Sequence, residues 1–262
     1  MLFSKNLKLV LIDLSGTIHI ENEITPNAIE ALKRLRASKV SLKFVTNTTK
    51  ESRRVLHERL TNLGFHIELE EIWSSLWAAR DKIVADSLKP MLLVDEAALE
   101  DFSGLSKFEG EPNAVVVGLA PKHFQYDILN RAFRLLLNGA KLIAIHEGRY
   151  YKTSSGLSLG PGPFVKGLEY SANCKAHIVG KPSPEFFRAS LGDIDPSSTI
   201  MIGDDARDDI EGAQSLGIRG FLVKTGKYRR GDEDQINPPP YCTVENFSEA
   251  VDKILNELSD LK

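Results

Sequence analysis

Apolar residues along this chain gather into short continuous runs separated by segments of helical spacing. Leu9-Val10-Leu11-Ile12 is the first such run and stops at Asp13 in a polar turn. A run without alternation suits a strand covered on both faces, as in a parallel sheet. Thr25-Pro26 reads as an N-cap with proline in the first helical turn, followed by Ile29, Leu32 and Leu35 at helical spacing. Ser41 to Val45 predicts a second strand, and Lys50 to Leu63 a second helix stopped by Gly64. The rhythm returns near the other end: Thr199 to Ile202 as strand, Asp208 to Leu216 as helix with Gly217 as its stop, Gly220 to Val223 as strand, and Asn246 to Leu258 as helix.

Between these halves lie three more apolar runs, Met91 to Val94, Ala114 to Val117 and Leu142 to Ile145, and a helical pattern from Tyr126 to Leu137. The whole predicts an α/β protein in which one parallel-sheet core, residues 1–89 and 179–262, is interrupted by a smaller α/β unit, residues 90–178. Pro238-Pro239-Pro240 is expected as a stiff surface loop, and Trp73 and Trp77, spaced by one helical turn, as a packing face.

Composition narrows the classes of function. With 262 residues, 42% hydrophobic, the chain has the mass for a core and a satellite. A formal net charge of -3 gives no basic field for nucleic acid or an anionic membrane, so a small substrate or a protein surface is the expected partner. Cys174 and Cys242 lack the spacing of a zinc site or a disulfide framework. The apolar run from Leu7 to Leu14 is interrupted by Lys8 and Asp13 and does not read as a signal peptide, so a cytoplasmic location is expected.

Open parallel sheets bind ligands at the carboxyl ends of their strands. Collecting the polar residues that end the apolar runs yields Asp13-Leu14-Ser15-Gly16-Thr17, Thr46-Asn47, Gly180-Lys181-Pro182 and Gly203-Asp204-Asp205 followed by Asp208-Asp209. Each alone has an ordinary explanation as a cap or a solvated charge. Together they make a site for phosphoryl transfer. Converging carboxylates repel unless a cation lies between them, and hard oxygen donors favour magnesium, which Asp13 and Asp204 would hold. Thr46 and Lys181 would bind phosphate oxygens, and Asp13, with its charge screened, can attack phosphorus.

In this order the four clusters resemble the motifs of the haloacid dehalogenase-like hydrolases, and the insert resembles the α/β cap of the subgroup containing nucleotide-monophosphatase-like and pyridoxal-phosphatase-like enzymes. The resemblance covers nearly the whole chain. It implies a Rossmann-like core with a mobile cap, and a phosphatase for a phosphorylated small molecule, a phosphorylated side chain or pyrophosphate. Asp13 would be the nucleophile, with Mg2+ on Asp13, Asp204 and the backbone carbonyl of Ser15. Phosphate would touch the loop Asp13, Leu14 and Ser15 together with Thr46, Asn47 and Lys181. Asp209 would orient Asp204 or Lys181, and the subgroup suggests cap-mediated homodimers.

One position departs from the pattern. Phosphatases of this family usually carry a second aspartate two residues after the nucleophile as the proton carrier, and this chain has Ser15. A serine hydroxyl relays a hydrogen bond but cannot serve as a proton carrier near neutral pH as a carboxyl can. A slow enzyme is expected, and the competing reading is a low-activity phosphate-binding or scaffold protein that retains the fold. Asp205 and Asp208 are expected as charges favouring a helix start, and His146 as a structural histidine.

Overall fold

A computed structural model describes residues 7–105, 110–153 and 156–259. In chain order it contains β1 (Leu9–Ile12), a small hairpin of β2 (His19–Ile20) and β3 (Glu23–Ile24), α1 (Ala28–Ala37), β4 (Ser41–Thr46), α2 (Arg53–Asn62) and β5 (Ile72–Ser74). Next come α3 (Ser75–Ala85), β6 (Pro90–Leu93), β7 (Ala114–Val117), α4 (Tyr126–Leu137), β8 (Lys141–Ala144), the hairpin of β9 (Tyr150–Thr153) and β10 (Gly156–Leu159), α5 (Gly162–Ala172) and β11 (His177–Ile178). The chain closes with α6 (Pro184–Leu191), β12 (Thr199–Gly203), α7 (Gly212–Gln214), β13 (Arg219–Val223), β14 (Cys242–Val244) and α8 (Phe247–Ser259). The contacts divide it into a first unit, residues 1–46, 57–73 and 181–262, and a second, residues 47–56 and 74–180.

The first unit holds a sheet ordered β14-β13-β12-β1-β4-β5. Its central pairings are parallel, with Val10 opposite both Ile200 and Leu42. All four residues of β1 and all five of β12 are buried, as continuous apolar runs require when both faces are covered. Two helices each bury one stripe at helical spacing: α1 through Ala28, Ala31, Leu32 and Leu35, and α8 through Phe247, Ala250, Val251 and Ile254. They pack on each other, with Arg34 Nη1 donating to Asp252 Oδ1 at 2.6 Å on the solvent side. The order leaves β1 with neighbours reached in opposite chain directions, which opens a crevice at its carboxyl end.

The second unit is a parallel sheet ordered β11-β8-β7-β6 with helices on both faces. Its strands alternate. Ala114 and Val116 of β7 and Ile143 of β8 face Leu76, Ala79 and Ile83 of α3, whereas Val115 and Val117 face Ala132, Leu135 and Leu136 of α4 and Val165 and Leu168 of α5. One face of β7 would be bare without α3. This packing draws Ser75–Ala85 into the second unit, so the division falls at Ser74 and differs from the Lys89-Pro90 crossing read from the apolar pattern. Residues 47–56 join it through Ser52 N–H donating to Ala97 O at 2.9 Å and Ser52 Oγ donating to Glu100 Oε2 at 2.8 Å.

Several local expectations are corrected. Thr25 does not cap α1, which begins at Ala28, because its hydroxyl donates instead to Thr17 O at 2.9 Å. Trp73 lies in β5, with its ring 6.2 Å from Phe186 in the first unit, and Trp77 lies in α3 beneath Arg53 at 3.8 Å in the second, so they share no packing face. The helix expected from Asp208 opens as a π-helical turn, Ala206–Glu211. Both cysteines are free and half-buried. No helix among the described residues is long and apolar enough to cross a membrane.

Leu11 is fully buried on the central strand. Leu11→Ala is expected to lower unfolding free energy by about 2–5 kcal/mol, read as a fall in the urea midpoint of the first unit.

Candidate active site

The carboxyl ends of neighbouring strands in the first unit bring together the polar residues that follow them. β1 delivers Asp13, β4 ends on Thr46, β12 delivers Asp204, and Lys181 precedes α6. All four are buried. Asp13 N–H donates to Ile202 O at 2.9 Å, extending the β1–β12 ladder by one bond and fixing the aspartate at its end.

Lys181 is the hub. Its Nζ lies 2.6 Å from Asp13 Oδ1 and 2.6 Å from Asp209 Oδ1, and donates to Val45 O at 3.0 Å. The second oxygen of Asp13 accepts from the Thr17 hydroxyl at 3.1 Å, and that of Asp209 accepts from Asp205 N–H at 3.2 Å. Asp204 Oδ2 accepts from Lys227 N–H at 2.6 Å. Among the described residues, Asp13, Asp204 and Asp209 each present an oxygen within 4.8 Å of the others.

The acidities follow from this crowding. Burial disfavours the charge on Lys181, but the carboxylates of Asp13 and Asp209 outweigh it and hold the ammonium above its usual range. Asp204 is pushed well above the carboxylate range, first by burial and then by the neighbouring Asp13 charge. Burial carries Asp209 up to about 7, against the pull of Lys181. Three buried carboxylates therefore crowd around the Lys181 ammonium. Their hard oxygen donors fit a small divalent cation such as magnesium, which would relieve the repulsion that raises Asp204.

The remaining residues named from the sequence fall as follows. Ser15 is exposed, and the loop behind it is tightened by Gly16 N–H donating to His19 O at 2.7 Å, with Leu14 buried. Asn47 belongs to the second unit, where its Oδ1 leaves no room for a Cβ on Gly180, at 2.5 Å. His146 lies in that unit too, its Nδ1 accepting from Gly148 N–H at 3.1 Å and its Nε2 3.5 Å from the Thr49 hydroxyl. Asp205 caps the π-helical turn, accepting from Arg207 and Asp208 N–H at 3.1 and 3.0 Å. Burial works against its charge, yet Lys227 keeps it below the usual range. Asp209, expected to orient Asp204 or Lys181, contacts Lys181. Thr17 was collected with the first strand-end cluster but given no role, and Thr225, Gly226 and Lys227 were not singled out in the sequence. The polar run Lys224-Thr225-Gly226-Lys227 directly after β13 is the signal that the strand-end rule would have collected.

Comparison with known proteins gives the family. A family model described as haloacid dehalogenase-like hydrolase matches residues 10–103, and one described as HAD-hydrolase-like matches residues 178–250. The haloacid dehalogenase-like hydrolase domain-containing protein 2 of Rattus norvegicus is 60% identical over 254 residues, 96% of this chain and 97% of its own length. The chain belongs to the haloacid dehalogenase-like hydrolases. This hydrolase is also 39% identical to the phospholysine phosphohistidine inorganic pyrophosphate phosphatase of Danio rerio, over 97% of this chain and 96% of that protein. Two solved structures are 25% identical to it: a p-nitrophenyl phosphatase from Archaeoglobus fulgidus, with TM-score 0.85 over 95% of this chain and 99% of that one, and a glycerol phosphate phosphatase from Mycobacterium tuberculosis in complex with magnesium, with TM-score 0.81 over 93% and 78%. The Rossmann-like parallel-sheet expectation agrees with these folds.

Burial and the charge of Asp205 raise Asp208 to about 7. A raised pKa in the folded state means that folding favours the protonated form, so its stabilising contribution is complete below the unfolded value near 3.8 and is lost as pH rises through about 7. Asp208→Asn removes that titration. Its stability relative to wild type is expected to rise by on the order of 1–3 kcal/mol between pH 4 and pH 8, measured by urea unfolding.

Proposed function

We propose that this hydrolase is a magnesium-dependent phosphatase that works through an aspartyl-phosphate on Asp13. The observation that carries the reading is the buried ammonium of Lys181, 2.6 Å from Asp13 and 2.6 Å from Asp209, beside Asp204. A solvated charge has no need of such burial, whereas a group that must meet an incoming dianion does. Asp13 and Asp204, with the carbonyl of Ser15, would hold the magnesium ion, which would supply charge screening between carboxylate and phosphate.

Asp13, oriented by Lys181 and the Thr17 hydroxyl, attacks phosphorus; the bond to the leaving group breaks and an acyl phosphate forms. Lys181 and Thr46 hold the phosphoryl oxygens. Water then attacks phosphorus, restoring the carboxylate and releasing inorganic phosphate. The second unit acts as the cap that selects the leaving group. Likeness to the Danio rerio enzyme supports phosphorylated side chains and pyrophosphate as candidate substrates beside small phosphate esters.

Asp13→Asn preserves the shape but removes the nucleophile. Turnover is expected to vanish with the phosphorylated Asp13 peptide seen by mass spectrometry of quenched wild type, and excess chelator is expected to abolish both. Undiminished turnover in the variant would overturn the nucleophile assignment.

Ser15 makes a second outcome measurable. Without a carboxylic acid to protonate the departing group, aryl phosphates and protonated phosphoramidates are expected to react far faster than alkyl phosphates. General acid help is worth about a hundred- to ten-thousand-fold. Ser15→Asp is expected to flatten the dependence of kcat/KM on leaving-group pKa; an unchanged slope in a magnesium-binding variant would mean that another group supplies the proton.

A further inference from the structure

The carboxylate of Asp204 is gripped by a turn to which none of the roles above assigns a task. After β13 the chain bends back, with Tyr228 N–H donating to Thr225 O at 3.0 Å. From this turn Lys227 N–H donates to Asp204 Oδ2 at 2.6 Å, and the Thr225 hydroxyl donates to Gly16 O at 2.5 Å. Lys227 Nζ pins the far side of the turn to Asp205 Oδ2 at 3.1 Å.

Two glycines make the grip possible. Gly226 has φ 54°, and a Cβ there would lie 2.1 Å from Asp204 Oδ2 and 2.4 Å from Gly16 Cα. Gly16 has φ 104°, and its Cβ would lie 2.0 Å from the same oxygen. Backbone from two separate loops therefore closes on one carboxylate oxygen, an approach only glycine allows. A third strand's turn thus joins the loop after β1 to the loop after β12.

We infer that Thr225, Gly226 and Lys227 form a positioning clasp that presets the Asp204 carboxylate against the Asp13 loop for cation binding. The inference rests on the proposed magnesium role of Asp13 and Asp204. By holding Oδ2, the Lys227 amide fixes the rotation of the Asp204 carboxylate. The Thr225 hydroxyl anchors the carbonyl that follows Ser15, restraining the arc of chain on which Asp13 and the Ser15 carbonyl sit. Ligands ordered before the ion arrives bind it more tightly, because less freedom is lost on binding.

The test measures Mn2+ binding to the full chain by electron paramagnetic resonance without substrate, beside the magnesium dependence of turnover. Thr225→Val keeps the branched shape and removes the donor. It is expected to weaken Mn2+ binding about ten- to a hundredfold, with a matching rise in the magnesium concentration for half-maximal rate and a much smaller change in kcat at saturating magnesium. Thr225→Ser is expected to restore binding. Lys227→Met retains the amide that holds Asp204 while deleting a positive charge, so it is not expected to weaken the metal; a loss there as large as that of Thr225→Val would show that the Lys227 side chain, and not the backbone grip, sets the affinity and would overturn the clasp. Should Thr225→Val fail to fold by thermal melting, Thr225→Ala is read in the same way. Wild-type affinity in a folded Thr225 variant overturns the clasp alone, whereas a wild type that binds no Mn2+ overturns the metal reading with it.

Discussion

Like charges cannot be buried together without an arrangement that answers their repulsion, and that constraint organises this site. Parallel strands that end side by side deliver Asp13 and Asp204 to one place, and the π-helical turn brings Asp209 to join them. The only economical response is a cation on a rigid support. Lys181 supplies one, and its location just ahead of α6 lets it reach both Asp13 and Asp209. The surplus negative charge that remains is what suits the site to a divalent ion and, through it, to an anionic substrate.

Much of this was legible in the chain itself, because the relevant physics is local or periodic. Continuous runs such as Leu9 to Ile12 and Thr199 to Ile202 announce buried parallel strands, and strand-end polar residues announce the ligand side of the sheet. Asp13, Thr46, Lys181 and Asp204 come from that reasoning, and the structure brings them to one end of one sheet. Gly64 and Gly217 were read as helix stops, and both take the left-handed conformation.

What escaped the sequence depends on partners far along the chain. Thr25 has the look of a helix cap, and only the fold reveals that Thr17 O competes for its hydroxyl. Ser75–Ala85 is too weakly amphipathic to advertise which sheet it covers; the choice is made by the bare face of β7. Trp73 and Trp77 have helical spacing, but a strand-to-helix junction separates them. The Thr225 to Lys227 turn carries no apolar signature, and its partners Gly16 and Asp204 lie in two other loops.

The placement of β1 between β4 and β12 also bears on how the chain reaches this state. Val10 pairs with Leu42 nearby and with Ile200 only after the entire second unit has been made. A nascent chain therefore holds an unfinished sheet edge on β1 for most of its synthesis, and exposed edges invite pairing with other chains. The second unit has its own two-faced sheet, with its three longer strands drawn from residues 90–144. If it folds first, it shortens the effective loop that must close before β12 docks, and so lowers the entropic barrier to completing the catalytic sheet. The insertion would then serve as an internal folding aid, independently of any part it plays in turnover.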